Sequence, residues 1–172
     1  MDTAEEERMD GPAFDGFYLE AFPRLTGQVY AMCGDLAEAQ DCVQEAFIRA
    51  WDHRRELDAA QSPEAWVRTV AWRLAVSRWR RARLARRPPD RAHALPVTAT
   101  EPDVAHTALV RALRQIDRDQ RRAIVLHHLC DRSVAEVARE TGVPVGTVKA
   151  RLSRGRQALA VLLDDPREEP SR

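Results

Sequence analysis

Residues Ser133 to Arg154 read SVAEVARETGVPVGTVKARLSR, a stretch that predicts two helices joined by a sharp turn. Ser133 and Glu136 have the spacing of a capping box, which is a start signal for a helix. Gly142 stands where the turn needs a residue without a Cβ atom. The residues predicted to face inward are apolar: Val134, Val137, Ala138, Val148 and Leu152. This pattern is typical of a helix-turn-helix, with an ordinary helical hairpin as the alternative.

The second helix of this motif leaves small, polar and basic residues at its leading end and on its outer face. In a helix-turn-helix these positions meet base edges and phosphates in the major groove of DNA. The stretch from Gly146 to Gln157 also contains four basic residues and no acid. We therefore predict contacts with duplex DNA from Pro144, Val145, Thr147, Lys149, Ala150, Arg151 and Arg154.

Charge is unevenly distributed along the chain. The 172 residues contain 27 basic and 27 acidic side chains, so the formal net charge is zero. Residues 1–60 nevertheless hold 14 acids and five arginines, whereas residues 64–91 hold two acids and nine arginines. With the acid-free stretch described above, this gives two basic patches and predicts two contacts with a polyanion. Solvated helix faces are the alternative.

Composition excludes several classes of protein. No run approaches the ~18 apolar residues that a membrane span needs, and the N-terminus is acidic where a signal peptide is basic. We therefore expect a cytoplasmic protein without membrane insertion. The three cysteines, Cys33, Cys42 and Cys130, lack CxxC spacing and are odd in number, so neither a disulfide framework nor a zinc finger is supported. We expect them to act as small apolar filler.

An amphipathic helix is predicted from Ala37 to about Arg54. Asp41, Gln44 and Glu45 lie outside its apolar stripe. Because an acidic surface repels DNA, we expect this face to bind a protein, with a plain solvated face as the alternative. The stripe itself is expected in the core and comprises Ala39, Cys42, Val43, Ala46, Phe47, Ala50 and Trp51.

A basic helix follows it. Ser62, Pro63 and Glu64 form an N-terminal cap signal, and seven arginines lie between Arg73 and Arg87. Trp66 is expected in the core. Trp72 and Trp79 are seven residues apart and share a face, where an indole is either core or a stacking platform for an unpaired base. Arginine supplies phosphate contacts, so the helix suits melted nucleic acid.

These patterns predict an all-α protein of two small helical domains joined by a flexible linker. A disordered acidic tail is expected over 1–13. The first domain spans 14–87, and its first helix starts near Phe14 with a kink or break at Pro23. Residues 88–106 are the linker, 107–163 the second domain and 164–172 a polar tail.

Three segments together resemble bacterial RNA polymerase sigma factors of the sigma-70 family, in the small extracytoplasmic-function class. DCVQEAFIRAW, from Asp41 to Trp51, is similar to the family's polymerase-binding motif. PEAWVRTVAWRLA, over 63–75, resembles its promoter-melting segment, and GTVKARLSR, over 146–154, its second DNA-binding domain. The resemblance identifies 14–87 as region 2 and 107–163 as region 4.

The resemblance implies partners for each surface. Core RNA polymerase would dock its largest-subunit clamp helices on Asp41, Cys42, Val43, Gln44 and Glu45, and its flap on the surface between Leu113 and Leu129. The linker would thread toward the RNA exit path. An anti-sigma factor is expected. The minus-ten element, with its melted non-template strand, would contact Asp58, Gln61, Ser62, Trp72, Arg73, Ser77, Arg78, Trp79, Arg80 and Arg81. The minus-thirty-five duplex would contact the second-helix residues given above, from Pro144 to Arg154.

Two rival functions stay open. An enzyme or metal protein would rest on His127-His128-x-Cys130, but adjacent helical residues point about 100° apart and no catalytic motif accompanies them. We therefore predict no catalysis, no metal and no cofactor. An autonomous helix-turn-helix regulator would use 14–87 for sensing or dimerisation. The basic helix with Trp72 and Trp79 favours strand melting over that reading.

Overall fold

The computed structural model describes residues 11–54, 57, 62–84 and 104–163. All regular structure in these residues is helical, and it forms two compact units, one within 1–100 and one within 101–172. The prediction of two small all-α domains is confirmed. None of the described helices combines the length and the apolar character that crossing a membrane requires.

The first unit opens with α1, which spans Gly11–Cys33. The prediction that Gly11–Ala13 belong to a disordered tail is wrong, because these residues form the first turn of α1; residues 1–10 of that tail lie outside the described residues. Pro23 does not split the helix. The proline is exposed, so its ring and its missing N–H are accommodated on the solvent side, where water can satisfy the backbone carbonyl that it leaves without a partner.

The second helix, α2, spans Leu36–Asp52 and supplies the centre of the core. Asp35 caps it by accepting a hydrogen bond from the Glu38 amide at 3.0 Å, and Gly34 turns the chain with a φ of 80°. The predicted stripe is buried from Ala39 to Ala50. Trp51 is the exception, because 39% of its side chain is exposed at the end of the helix.

The third helix, α3, spans Pro63–Leu84. Ser62 caps it as predicted, since its Oγ accepts a hydrogen bond from the Ala65 amide at 3.3 Å. Trp66 packs against the core and is half-buried. A buried arginine joins the helices, because Arg68 is 1% exposed and donates to Gln28 Oε1 of α1 at 3.1 Å.

The second unit begins with α4, Val104–Gln115, and α5, Arg118–Ile124. The predicted linker over 88–106 is therefore too long, because residues 104–106 are helical; residues 88–103 lie outside the described part of the chain. No glycine or proline interrupts the sequence from Val104 to Gln115, which explains the earlier start. A π-helical turn, Val125–Leu129, continues α5 and was not predicted.

The predicted helix-turn-helix is confirmed as α6, Val134–Thr141, and α7, Val145–Leu163. The capping box is present, with Ser133 and Glu136 each accepting the other's backbone amide hydrogen bond. Gly142 ends α6 in the left-handed conformation, with a φ of 70°. Val148 and Leu152 are buried, and α7 packs so closely on α5 that a Cβ atom at Gly155 would lie 2.8 Å from Ile124 Cδ1.

Candidate functional site

The outer face of α2 carries the predicted acidic surface. Gln44 is exposed, and the side chains of Asp41 and Glu45 are 34% and 38% exposed. Glu45 pairs with Arg49 one turn later, where Arg49 Nε lies 3.0 Å from Glu45 Oε1. An exposed ion pair of this kind contributes only about 0.3–0.5 kcal/mol, so it is readily exchanged for a partner's charge. We define Asp41, Gln44 and Glu45 as the acidic face.

Two residues predicted to contact a partner on this helix cannot do so in this structure. Cys42 and Val43 are both fully buried, at 0% exposure. They fall on the same stripe as Ala39, Ala46 and Ala50, so helical periodicity turns them into the core. Burial raises the pKa of the Cys42 thiol, which donates to Glu38 Oε1 at 3.3 Å. Burial also raises the pKa of the Cys33 thiol, to about 11.

One residue of the outer face was missed. Ile48 is 56% exposed in the middle of that face, one turn after Gln44. Its signal was present in the sequence, because Ile48 is a large apolar residue outside the buried stripe. It borders a groove of about 340 Å³ between α1 and α2, lined by Phe14, Asp15, Tyr18, Gln44, Phe47, Ile48, Trp51 and Asp52.

The outer face of α3 is basic. Arg73, Ser77, Arg80 and Arg81 are exposed, as expected for residues that recur at helical spacing opposite the buried side. Trp79 is 53% exposed, and the Arg83 guanidinium lies 5.4 Å from the centre of its ring. This distance is within the range of a cation–π contact. We define Arg73, Ser77, Trp79, Arg80 and Arg81 as the basic face.

Two residues predicted on the basic face lie elsewhere. Trp72 is only 6% exposed, so it is not available as a stacking platform. Arg78 continues the packed side of α3, seven residues after Ala71 and three after Ala75. Its guanidinium faces α2, with Nη1 3.6 Å from Glu38 Oε1 and 3.8 Å from Asp41 Oδ2. The acidic face and α3 are therefore linked through Arg78.

The loop before α3 is described only at its ends. Leu57 is buried in the core at 1% exposure, and Ser62 is half-buried in its capping role. Asp58 and Gln61, predicted to contact the minus-ten element, lie outside the described residues.

In the second unit, α7 presents most of its predicted DNA contacts. Pro144, Val145, Thr147, Lys149 and Arg154 are exposed, and Ala150 is half-buried. Arg151 is engaged within the unit, because its Nη2 lies 2.6 Å from Asp119 Oδ2 of α5. Ser153 was missed by the sequence analysis; it is exposed one turn after Lys149 and beside Arg154.

The turn before the helix-turn-helix is held by polar contacts. Hydrogen bonds from Ser133 lower the pKa of the Glu136 carboxyl to about 2, with the nearby Arg132 adding to the effect. His127 Nδ1 lies 2.6 Å from the Arg132 carbonyl oxygen. Within the predicted flap surface from Leu113 to Leu129, the apolar residues are buried up to Leu126, and Leu129 is 43% exposed.

Comparison with known families and proteins assigns both units. The family model described as Sigma-70 region 2 matches residues 17–85, and the model described as Sigma-70, region 4 matches residues 106–159. The ECF RNA polymerase sigma factor SigL of Mycobacterium tuberculosis is 32% identical over 140 residues, covering 78% of this chain and 79% of SigL. The ECF RNA polymerase sigma factor SigW of Bacillus subtilis is 30% identical over 157 residues, covering 79% of this chain and 81% of SigW.

Two solved structures share the fold. The first is the sigma factor RpoE of Bartonella quintana in complex with the anti-sigma factor NepR, with a TM-score of 0.72, 25% identity and coverage of 89% of this chain and 98% of RpoE. The second is CnrH in complex with the cytosolic domain of CnrY, with a TM-score of 0.70, 22% identity and coverage of 95% of each chain.

Proposed function

Because the chain belongs to the sigma-70 family, in its extracytoplasmic-function class, we propose that α2 carries its contact with core RNA polymerase and that α3 and α7 carry its contacts with promoter DNA. A member of this class binds core RNA polymerase and directs promoter-specific transcription initiation. As a sigma factor, the chain is proposed to act as an initiation factor with no catalysis of its own. We place its action in the cytoplasm, where its polymerase works.

The opposite charge of two faces in one unit carries this proposal. The acidic face on α2 repels DNA and attracts a basic protein surface, whereas the basic face on α3 attracts the phosphate backbone. A sensing or dimerisation domain does not require this arrangement, whereas a domain that binds both polymerase and DNA does. The rival reading as an autonomous helix-turn-helix regulator is also disfavoured because residues 17–85 match region 2.

The proposed polymerase contact differs from the sequence prediction, because it excludes Cys42 and Val43 and includes Ile48. Cys42 and Val43 are buried, so they shape α2 from within and do not touch the partner. Ile48 adds an exposed apolar residue next to the polar residues Asp41, Gln44 and Glu45. An apolar centre with a polar rim is the usual composition of a protein interface.

The promoter contacts divide between the two units. We propose that the basic face of α3 holds the non-template strand of the minus-ten element after melting. Extruding a base costs a few kcal/mol of stacking, which aromatic stacking and phosphate contacts offset. In the second unit, α7 is proposed to enter the major groove at the minus-thirty-five element with Pro144, Val145, Thr147, Lys149, Ala150, Ser153 and Arg154. The 14–87 and 107–163 domain division is part of this proposal, with the corrections at 11–13 and 104–106 given above.

An anti-sigma factor is proposed as the regulatory partner. RpoE of Bartonella quintana, which has the same fold and 25% sequence identity to this chain, is solved in complex with the anti-sigma factor NepR. A protein that covers the acidic face would compete with polymerase for it. This competition would keep the chain from initiating transcription while the anti-sigma factor is bound.

The test of the proposed function is binding to bacterial core RNA polymerase. The wild-type chain is expected to bind stoichiometrically, and Asp41→Lys/Glu45→Lys to lose roughly tenfold or more in affinity, because two attractive charges become repulsive. Glu20→Lys is the control, since Glu20 is exposed on α1 outside the acidic face. Thermal unfolding checks that each variant is folded. Failure of folded wild type to bind would overturn the proposal.

The contacts of α7 are tested by the salt dependence of holoenzyme binding to the minus-thirty-five duplex. Arg154→Gln is expected to reduce the steepness of the slope of log affinity against log salt concentration by about 0.9, because one phosphate contact is lost. Arg151→Gln is the matched variant and is expected to leave the slope unchanged, since Arg151 already pairs with Asp119. An equal change of slope in both variants would place Arg151 on the DNA backbone.

A further inference from the structure

One arginine of α3 lies between the two functional faces of the first unit. The buried side of α3 runs through Val67, Ala71 and Ala75, and Arg78 occupies the next position on that side. Its side chain is 33% exposed and therefore partly buried, whereas Arg73 and Arg80 are exposed. Helical geometry therefore directs Arg78 toward α2 and away from the basic face.

The groups that meet Arg78 belong to α2. Its Nη1 atom lies 3.6 Å from Glu38 Oε1 and 3.8 Å from Asp41 Oδ2, and those two side chains are 24% and 34% exposed. One guanidinium thus serves two carboxylates one turn apart on the same helix. Glu38 also accepts from the buried Cys42 thiol, which fixes its carboxylate in place. Asp41 has no such second contact in the part of the chain that the structure describes, so it is the carboxylate that a partner can take.

We propose that Arg78 is an intramolecular competitor of RNA polymerase for Asp41. This inference rests on the proposed function of α2. In the free chain Arg78 neutralises Asp41. When a basic surface of the polymerase docks on α2, Asp41 exchanges Arg78 for the partner's cation, and Arg78 keeps Glu38.

The exchange has a measurable consequence. A partner that must displace Arg78 binds more weakly by the free energy of the contact that it breaks, so removing Arg78 strengthens docking. Arg78→Gln is therefore expected to raise the affinity for core RNA polymerase about two- to fivefold, the size expected of a partly exposed ion pair. A residue that touches only DNA would not change this affinity. Arg78→Lys, which keeps the charge, is expected to bind polymerase like the wild type.

Affinity of the full-length chain for core polymerase, measured by titration at fixed salt, tests the proposal. The control variant is Arg24→Gln, because Arg24 also pairs with a carboxylate that joins two helices of this unit, Glu64 of α3, but neither residue belongs to the acidic face. Arg24→Gln removes the same charge and is expected to leave the affinity unchanged. In an Asp41→Asn background, which binds more weakly, Arg78→Gln is expected to give no further gain.

The outcomes of these titrations distinguish competition for Asp41 from a general effect of net charge. A gain for Arg78→Gln that disappears with Asp41→Asn supports the competition. A similar gain for Arg24→Gln, or a gain for Arg78→Gln that persists in the Asp41→Asn background, would reduce the effect to net charge and overturn it. No change or a loss for folded Arg78→Gln would also overturn it while leaving the proposed function intact. Failure of the proposed function is recognised separately, because the wild type itself would then not bind polymerase.

Discussion

Trp79→Ala/Arg80→Ala is expected to slow open-complex formation by on the order of a hundredfold while core RNA polymerase binds within about twofold of wild type. Base stacking on an aromatic side chain contributes about 1–3 kcal/mol, and the lost phosphate contact adds to this. Trp79 is 53% exposed on α3, and Arg80 lies beside it on the same basic face. Neither belongs to the acidic face, so the effect is confined to DNA melting.

The measurement is open-complex formation by the reconstituted holoenzyme on a linear promoter fragment, followed by reactivity of unpaired thymines. Trp79→Phe/Arg80→Lys is the conservative control, because it keeps an aromatic plane and a positive charge; it is expected to recover most of the rate. Trp72→Ala offers a contrast, since loss of this buried indole is expected to lower the stability of the unit. Equal loss of polymerase binding and melting in the Trp79 variant would assign Trp79 a structural role instead.

The helices of this chain were predictable because their ends carry local signals. The caps at Ser62 and Ser133 and the turn at Gly142 depend on residues three or four positions apart, and all three are present in the structure. The errors at helix ends have a local cause as well. The helices that begin at Gly11 and Val104 have no strong capping signal in the sequence, so their first residues were not predicted to be helical.

The faces of the helices were predictable only in part. Periodicity correctly separates Gln44 and Arg80 from the core, but it places Trp72 and Trp79 on one face. Burial also requires a neighbour at the same height along the helix, and this depends on tertiary packing. The same reasoning about α2 already put Cys42 and Val43 in the apolar stripe, so their assignment to a partner contact contradicted their own periodicity.

Ion pairs between distant residues were outside the reach of the sequence. Helical spacing places Arg78 and Arg151 next to buried positions, but nothing in the sequence identifies the carboxylates that they meet. Their carboxylate partners, Asp41 and Asp119, lie 37 and 32 residues away, and only the packing of α3 on α2 and of α7 on α5 brings them together. This distinction matters for function, because it removes two of the predicted DNA contacts from the free surface.

The core beneath the acidic face is the basis of the last prediction. Phe47 of α2 is 3% exposed, and its ring contacts four aromatic rings of α1. The centroid distances are 6.1 Å to Phe14, 5.3 Å to Phe17, 5.0 Å to Tyr18 and 6.2 Å to Phe22. The pairs with Phe14 and Tyr18 are edge-to-face, an arrangement that aromatic pairs favour, and the pairs with Phe17 and Phe22 are tilted. Phe47 thus holds α2 against α1 and supports the groove beside Ile48.

Phe47→Ala is expected to lower the free energy of unfolding of the first unit by about 3–5 kcal/mol, because a large buried ring is replaced by a cavity. The free energy of unfolding of a small domain is roughly 5–15 kcal/mol in total, so this loss removes a large part of its stability.

All four tryptophans, Trp51, Trp66, Trp72 and Trp79, lie in this unit. Urea unfolding followed by tryptophan fluorescence therefore reports on the first unit alone, while circular dichroism reports on both. Ile48→Ala, at an exposed neighbouring position, is expected to stay within about 0.5 kcal/mol of wild type. A loss below about 1 kcal/mol for Phe47→Ala would mean that α1 and α2 are held together elsewhere. With the expected loss, the unfolding transition of the first unit moves to lower urea concentration, while the second unit, which contains the α7 helix-turn-helix, keeps its own unfolding transition.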